Sequence, residues 1–394
     1  MKQKRNLIGI ALISLLFTAC QKDSRFSSDA KDAEKNNEVA ATAARSGRHG
    51  NNESGRGYVY TLSNQADGNE VLVYRRAANG MLSWLSSCSA GGTGTGGGLG
   101  NQGAVVLANE GKIVLAVNAG SNTVSSLKTT GNGLNLKSTV SSGGVRPVSI
   151  AVHDDLVYVL NAGGNGNISG FRLLNNGKLH PIHNSTRPLS VAAATGPAQI
   201  SFVLGGRVLV ITEKATNTIT TYTVNEWGVP GAMHTLTSSS PTPFGFANGK
   251  LGIIFVSEAV GGAPGASVLS SYRIHVNGTI LLRDGSVGAG QSAACWVVIT
   301  KNGKYAYTTN TASNNLSSFD VDLISGDIDL RDAISATTPA GPIDAALSNN
   351  SKFLYVLNAG GHSISAFTVS GTSSLGSIQT VTGLPAGATG LAAN

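Results

Sequence analysis

Charge is scarce in this sequence, because only 12% of its 394 residues are Asp, Glu, Lys or Arg. The formal net charge of +7 overstates the basicity, since three of the 28 basic residues and no acid lie in the first 20 residues. The other basic residues are scattered and form no patch suited to a phosphate backbone. The composition therefore argues against nucleic acid as a partner.

Cysteine is also rare, with only Cys20, Cys88 and Cys295. No Cys/His spacing is typical of a zinc site, and His180 and His183 lie in a Pro-containing connection that is typical of a solvated loop. We therefore expect no metal and no cofactor. Cys88 and Cys295 either form a disulfide or stay as two separate buried thiols, and the sequence leaves both possibilities open.

The first 20 residues have the pattern of an export signal. Basic residues are followed by an apolar run from 7 to 17 that is short for a membrane-spanning helix, and then by Phe17-Thr18-Ala19-Cys20. Small residues directly before a Cys resemble the bacterial lipobox, in which that Cys is acylated. We therefore expect a lipid anchor at Cys20 and a place in the bacterial cell envelope; the alternative is an ordinary signal peptide with a chance cysteine.

Residues 21–56 are mostly small and polar. Such a composition buries too little apolar surface to offset the entropy of ordering, so it predicts a flexible tether. The segment Gln21-Lys22-Asp23 resembles a short signal that directs some lipoproteins to the outer face of the outer membrane, and it is equally consistent with a generic polar linker.

The remainder of the chain, 57–394, repeats one unit seven times. Each copy has an apolar run, a polar residue at its end, a few small residues and a second strand-like run, as in VYVLNAGGNGNISGF (157–171). Alternating apolar residues and 51 Gly favour strands and tight turns. A period of 40–50 residues with this content predicts a seven-bladed, all-β propeller with four-stranded blades. The polar positions are Asn64, Asn118, Asn161, Glu213, Glu258, Asn310 and Asn358.

The two ends of the repeat region complement each other. GYVYTLSN (57–64) corresponds to a second strand with no inner strand before it, and GLPAGATGLAAN (383–394) resembles an extra inner strand. We predict that the C-terminal strand joins the first blade and closes the ring, which removes open sheet edges. We expect a monomer.

The seven polar positions should lie around one mouth of the central channel, because the second strand of one blade ends where the next blade's inner strand begins. Asn has a sufficient structural role there, since it tolerates left-handed backbone and bonds its own turn. Glu has no such preference, so Glu213 and Glu258 are our candidate acid/base residues, with solvated rim charges or a Glu213–Lys214 pair as alternatives.

Other side chains should share that mouth. Arg146 either holds a carboxylate or phosphate of a substrate or pairs with a neighbouring acid. Lys214 is a second candidate cation, and Trp296 serves either as a stacking platform or as a plug of the channel. The glycine-rich stretch 91–106 links two strands and opens no helix, so it is either a pliable flap or a plain loop. The full set of candidate substrate-binding residues is Arg146, Lys214, Gln199, Gln102 and Trp296.

The YVLNAG-type units, together with TEKATNTI (212–219) and SAACWVVITKNGKYAYTTNT (292–311), resemble the lactonase-type propellers, which include bacterial 6-phosphogluconolactonase and fungal carboxymuconate cyclases. The resemblance covers about residues 57–394 and places the family's strand-end Glu on Glu213. The family's paired histidines have no counterpart in GVRPVSIAV (144–152), and its Asn-Arg is Asn310-Thr311 here.

Two functions of different classes follow. The first is a metal-independent lactone hydrolase or cycloisomerase, in which Glu213, with or without Glu258, moves a proton while Arg146 or Lys214 neutralises the developing carboxylate. The second is a non-catalytic surface-tethered propeller that binds a glycan or a protein on one face. A location outside the cytoplasm argues against 6-phosphogluconolactone as the substrate, because the pathway of that sugar-phosphate lactone is cytoplasmic.

Overall fold

The computed structural model describes residues 56–394, which form seven antiparallel sheets arranged as the blades of a propeller. The blades, numbered 1–7 in chain order, each have an inner, second, third and outer strand. Blade 1 holds β1 (Gly57–Leu62), β2 (Glu70–Arg76) and β3 (Leu82–Ser89); blade 2 holds β4 (Val105–Ala108), β5 (Ile113–Asn118), β6 (Thr123–Thr130) and β7 (Gly133–Ser141); blade 3 holds β8 (Pro147–His153), β9 (Leu156–Asn161), β10 (Asn167–Leu173), β11 (Leu179–Pro181) and β12 (Arg187–Pro188).

Blades 4 to 7 follow the same order. Blade 4 holds β13 (Pro197–Val203), β14 (Val208–Glu213), β15 (Thr218–Val224) and β16 (Pro230–Thr237); blade 5 holds β17 (Pro243–Asn248), β18 (Ile253–Glu258), a 3₁₀ turn (Val260–Gly262), β19 (Val268–Ile274) and β20 (Ile280–Gly288); blade 6 holds β21 (Ala294–Ile299), β22 (Tyr305–Asn310), β23 (Asn315–Val321) and β24 (Ile328–Thr337); blade 7 holds β25 (Pro342–Leu347), β26 (Phe353–Asn358), β27 (Ser363–Val369) and β28 (Leu375–Thr382).

The C-terminal strand β29 (Thr389–Ala393) closes the ring, which confirms the predicted seven-bladed architecture. It pairs with β1 as the inner strand of blade 1. Asp344 on β25 ties it to blade 7, because one carboxylate oxygen accepts the amide of Leu391 at 3.0 Å and the other accepts that of Ala345 at 2.8 Å. Burial raises the pKa of Asp344 well above its usual value.

The outer strand of blade 3 is broken into β11 and β12, which both pair with β10. Pro181 and Pro188 lack the amide hydrogen that a continuous ladder requires, and Asn184 between them adopts a positive φ of 57°. The hydroxyl of Ser185 fills the gap by accepting the Gly170 amide at 3.0 Å. The Pro-containing connection seen in the sequence is therefore an interrupted edge strand.

The two faces of the ring carry different strand ends and turns. The second strands end on one face, which we call the mouth face, and the inner strands begin there. The turns from inner to second strand and from third to outer strand lie on the opposite face, which we call the turn face.

Neighbouring blades are bonded on the turn face by a repeated contact. A hydroxyl of one blade donates to a carbonyl in the third-to-outer turn of the next blade. Five of these oxygen–oxygen distances are 2.5–2.9 Å. Six such contacts run around the ring: Ser126 to Gly177, Tyr158 to Gly228, Thr221 to Gly278, Ser271 to Gly326, Tyr307 to Ser373 and Tyr355 to Gly80.

Cys88 carries a free thiol and is half-buried on blade 1, so it does not pair with Cys295 on blade 6. The signal, the lipobox, Cys20 and the tether of 21–56 lie outside the described residues, apart from Arg56. Within residues 56–394 we find no helix of the length and apolarity that crossing a bilayer requires.

Removing residues 389–394 should open the ring. The deletion removes β29, the inner-strand partner of β1, together with the buried Leu391 side chain. We therefore expect the free energy of unfolding to fall by about 5 kcal/mol or more, or folding to fail. Thermal unfolding measures this. Asn394→Ala, which removes the side-chain acceptor of the Tyr58 amide, should cost only about 1 kcal/mol. An unchanged melting temperature in the deletion would contradict this closure.

Candidate functional site

The seven repeated polar positions are buried at the ends of the second strands, with 0–1% of each residue exposed. Three of the five Asn side chains bond a Ser on the third strand of their own blade. In three blades the Nδ2 group donates to a Ser hydroxyl seven residues later, at 2.8–2.9 Å: Asn118 to Ser125, Asn310 to Ser317 and Asn358 to Ser365. These Asn residues fasten the second strand to the third.

Glu213 occupies the same position in blade 4, where its side chain accepts hydrogen bonds and the Asn side chains donate them. The hydroxyl of Thr220, also seven residues later, donates to its carboxylate. The Ser190 hydroxyl donates at 2.6 Å, and the Ser190 amide lies 3.2 and 3.3 Å from the two carboxylate oxygens. In blade 3, by contrast, Asn161 donates to the Ser142 carbonyl at 3.2 Å. The preceding connection thus offers a carbonyl to Asn161 and an amide to Glu213.

Glu258 is held in the same way in blade 5. Its carboxylate accepts Tyr272 Oη at 2.6 Å, Ser270 Oγ at 2.7 Å and the Ser240 amide at 3.0 Å. Burial raises the pKa of Glu258 to about 7, although these three donors act in the opposite direction. Glu213 and Glu258 share no hydrogen-bond partner among the described residues, and the pKa of Glu258 is raised by burial and not by the charge of Glu213.

The glycine-rich stretch forms a plug across the channel at the mouth face. Its tip, residues 99–103, contacts the inner strands of four other blades. The Gln102 amide donates to the Ala198 carbonyl of blade 4 at 3.1 Å, and the Gly103 carbonyl accepts the Ile150 amide of blade 3 at 2.9 Å. The Asn101 carbonyl accepts the indole of Trp296 on blade 6 at 2.7 Å. The segment is therefore an ordered element of the mouth.

The plug sets the surroundings of three candidate residues. Trp296 is buried beneath it and packs on Phe244, with ring centroids 4.9 Å apart. The Gln102 side chain reaches the Val297 carbonyl at 3.4 Å. Gln199 joins the inner strands of blades 4 and 5, because its amide group both donates to the Phe246 carbonyl and accepts the Phe246 amide. None of these three side chains is presented freely to a ligand.

Lys214 and Arg146 remain as the cationic side chains of the mouth. The Lys214 ammonium bonds the Gly100 carbonyl of the plug and lies 4.3 Å from the centroid of the Phe244 ring. Burial and, to a smaller extent, the charge of Arg146 together lower the pKa of Lys214 to about 7. Arg146 is exposed, and its backbone is held at a φ of 55° by the Asn122 side chain. Neither cation forms a salt bridge within residues 56–394.

The sequence indicated that Arg146 and Lys214 face one mouth, but not that a loop from blade 2 would pack on them. The signal available was the length of the stretch 91–104, which exceeds the other connections and is rich in glycine. At Gly94 and Gly120 a Cβ atom would lie 2.0–2.1 Å from backbone atoms, so the loop packs closer than any other residue allows. No group of His, Cys, Asp and Glu in the described part of the chain has the arrangement of a metal site.

A seven-bladed ring whose one mouth is lined by strand ends and cationic side chains defines the class of lactonase-type propellers. The family model described as Lactonase, 7-bladed beta-propeller matches residues 24–186 and 273–389, and the chain belongs to that family. The unmatched stretch, 187–272, contains Glu213, Lys214 and Glu258. Blades 4 and 5 are thus where this chain departs most from its family.

Solved structures share the fold at low identity. A Bacteroides fragilis protein described as a candidate 6-phosphogluconolactonase is 16% identical, with a TM-score of 0.68 over 88% of this chain and 100% of that one. A similar candidate from Bacteroides uniformis is 17% identical, with a TM-score of 0.66 over 85% and 99%. The periplasmic gluconolactonase PpgL of Pseudomonas aeruginosa is 16% identical, with a TM-score of 0.65 over 85% and 98%. A search of curated proteins finds no match.

Glu258 should make stability depend on pH. Its pKa is raised to about 7, so the folded state binds the proton more tightly than the unfolded state, and stability should fall as the pH rises from about 4.5 through 7. The full effect is on the order of 2–3 kcal/mol. Denaturant unfolding between pH 4.5 and 8 measures it.

Glu258→Gln is the matched variant, because it keeps the shape of the side chain and removes the titration. The variant should lack this pH dependence, whereas Asn358→Ala should keep it while lowering stability throughout. The same slope in Glu258→Gln and in the unsubstituted protein would show that another group is responsible.

Proposed function

We propose that this propeller binds a small lactone at the mouth face and opens it to the sugar acid, with Lys214 and Arg146 neutralising the carboxylate that develops. The observation that carries the proposal is a pair of neighbouring cations without a carboxylate partner among the described residues. One of them, Lys214, is largely removed from water. Membership of the lactonase family and the likeness to proteins described as gluconolactonases support it.

Ring opening by water converts a neutral ester into a carboxylate and an alcohol, and the water proton passes to a base. Cations fixed before the reaction stabilise the negative charge more strongly at a dehydrated site than in bulk water. Lys214, with a pKa of about 7, is close to half neutral at pH 7, so the amine also matches the requirements of a base at that pH. The ligand would replace the Gly100 carbonyl as the partner of the Lys214 ammonium.

The sequence-based hypothesis gives the proton transfer to Glu213. The carboxylate is buried and bonded to Ser190 and Thr220, so the ground-state geometry favours a positioning role. Glu213 is the last residue of β14, and Lys214 follows it directly, so these bonds fix where the Lys214 side chain begins. We propose that Glu213 acts through Lys214.

Lys214 should control the binding of the product. We expect Lys214→Met to weaken the binding of D-gluconate by at least tenfold, because a charge-assisted contact contributes about 1.5–3 kcal/mol. Binding to the unsubstituted protein should weaken as the pH rises above about 7, whereas Lys214→Arg, which stays charged, should bind without that decline. Isothermal titration from pH 6 to 9 measures both.

Lys304→Met is the control, because Lys304 is exposed on the turn face and should leave gluconate binding unchanged. Gluconate binding that is equally tight in Lys214→Met would rule out this site. If the folded protein neither binds gluconate nor opens D-glucono-1,5-lactone, a propeller that binds a glycan or a protein becomes the favoured function.

Glu213→Gln separates the two roles of that residue. The new amide group faces the Ser190 amide, which cannot act as an acceptor, so we expect a loss of about 2 kcal/mol in stability. If Glu213 only positions Lys214, kcat on D-glucono-1,5-lactone should fall less than tenfold. The midpoint of the pH–rate profile should shift, because the pKa of Lys214 changes. A loss of two to four orders of magnitude in kcat at unchanged stability would instead assign the proton transfer to Glu213.

A further inference from the structure

The tips of the turns on blades 3 to 6 carry exposed apolar side chains on the turn face. Tight turns favour Gly, Asn, Asp and Ser, and the corresponding turns of blades 2 and 7 are polar, with Thr130-Gly131-Asn132-Gly133 and Ser370-Gly371-Thr372-Ser373. The exposed apolar residues of blades 3 to 6 therefore form one group along the ring, and Met81, 45% exposed in the corresponding turn of blade 1, lies outside that group. We call this group the apolar sector: Leu174, Trp227, Leu251, Val276 and Ile324.

The exposure of the apolar sector is large. Trp227 is 71% exposed and Leu251 is 63% exposed. The Arg273 guanidinium donates both to the Leu251 carbonyl and to the Ile324 carbonyl, so it joins the two turns that carry these apolar side chains. A cleft of about 290 Å³ opens beside Leu251 and is lined also by Leu204 and Phe202.

The turns are rigid where these side chains project. The Tyr158 hydroxyl holds the Gly228 carbonyl next to Trp227, and the Thr221 hydroxyl holds the Gly278 carbonyl in the turn of Val276. Arg172 also donates to the Glu226 carbonyl at 3.3 Å. These bonds already fix the backbone of the turns, so the backbone loses little further freedom when a partner covers the apolar side chains. The surface is therefore preorganised for docking.

The chain reaches the fold from the same face. Gly57 begins β1 opposite Arg76, which lies at the turn-face end of β2. The sequence predicts a lipid anchor at Cys20, which leaves 36 residues between that anchor and β1. The composition of 21–56 predicts a coil, for which that length corresponds to an end-to-end distance of roughly 30–36 Å. A lipid anchor at Cys20 would therefore keep the turn face near a bilayer.

We propose that the apolar sector rests on the surface of a lipid bilayer, which directs the mouth face with Lys214 away from the membrane. Trp, Leu, Ile and Val are suited to this, because Trp occupies the headgroup boundary and branched aliphatic side chains insert below it. The turns of these blades carry charges of both signs, with Lys250, Lys301 and Lys304 as well as Glu226 and Asp322. Apolar insertion therefore provides the binding, and anionic lipid strengthens it only moderately.

Two exposed tryptophans make a direct test possible. Trp227 belongs to the apolar sector, whereas Trp84 lies on the outer strand of blade 1 and is 56% exposed. The third, Trp296, is buried. We would use the full chain with Cys20→Ser, so that acylation cannot provide the binding, and add phosphatidylcholine vesicles with and without 25% phosphatidylglycerol, made with brominated acyl chains.

With Trp84→Phe, which keeps Trp227, we expect the emission to shift to shorter wavelength and to be quenched by the brominated lipid. With Trp227→Phe, which keeps Trp84, we expect neither change. Val276→Glu should lower the vesicle-bound fraction by at least tenfold, whereas Val145→Glu, at a Val of similar exposure (53%) on the mouth face, should leave it unchanged.

Three results would overturn the proposal. Vesicle binding without any change at Trp227 would show that the N-terminal segment alone makes the contact. Equal losses in the two Val variants would show that the contact is not specific to this face. A shift at Trp227 that occurs without vesicles and rises with protein concentration would identify a second copy of the chain, and not a bilayer, as the occupant. Circular dichroism of each variant establishes that the fold is intact, and none of these readouts depends on turnover of a lactone.

Discussion

The blades of this propeller are joined by hydroxyl groups that each donate to a turn carbonyl of the next blade. A buried carbonyl at the tip of a tight turn has no strand partner, and leaving it without a donor costs about 1–3 kcal/mol. Ser, Thr and Tyr in one blade supply the missing donor for the following blade. Because each contact crosses a blade boundary, the geometry of six of the seven third-to-outer turns depends on the preceding blade. These bonds set the spacing of the blades on the turn face.

The same principle explains the Asn-to-Glu exchange at the strand ends. A hydroxyl can donate or accept, so Ser125 serves Asn118 as an acceptor while Thr220 serves Glu213 as a donor. A backbone group cannot change its polarity, so the Ser142 carbonyl requires a donor side chain and the Ser190 amide requires an acceptor. In blades 3 to 5 the identity of the strand-end residue therefore matches the backbone group that the preceding connection presents.

The period, the alternation and the incomplete first unit were sufficient to predict seven blades and their closure, because each depends on local pattern and on the need to cover a sheet edge. The site was less accessible to sequence reasoning. Glu213 and Glu258 differ from the Asn copies, but the reason lies in the polarity of a connection far away along the chain. The plug was missed for a related cause, since glycine-rich composition specifies which backbone shapes are allowed and not which blades the loop contacts.

The plug and the cations at the mouth are coupled through one group, the Gly100 carbonyl. Lys214 extends from the end of a rigid strand, and it satisfies part of its hydrogen-bonding need on a carbonyl of another blade's loop. An uncharged carbonyl compensates a dehydrated ammonium only in part, which is why its pKa lies near 7 and not near its ordinary value. A carboxylate would compensate the ammonium more completely than the carbonyl does, and it would also interact with Arg146. An anion would therefore stabilise the mouth, because the fold brings two cations together and residues 56–394 provide no acid that forms a salt bridge with either.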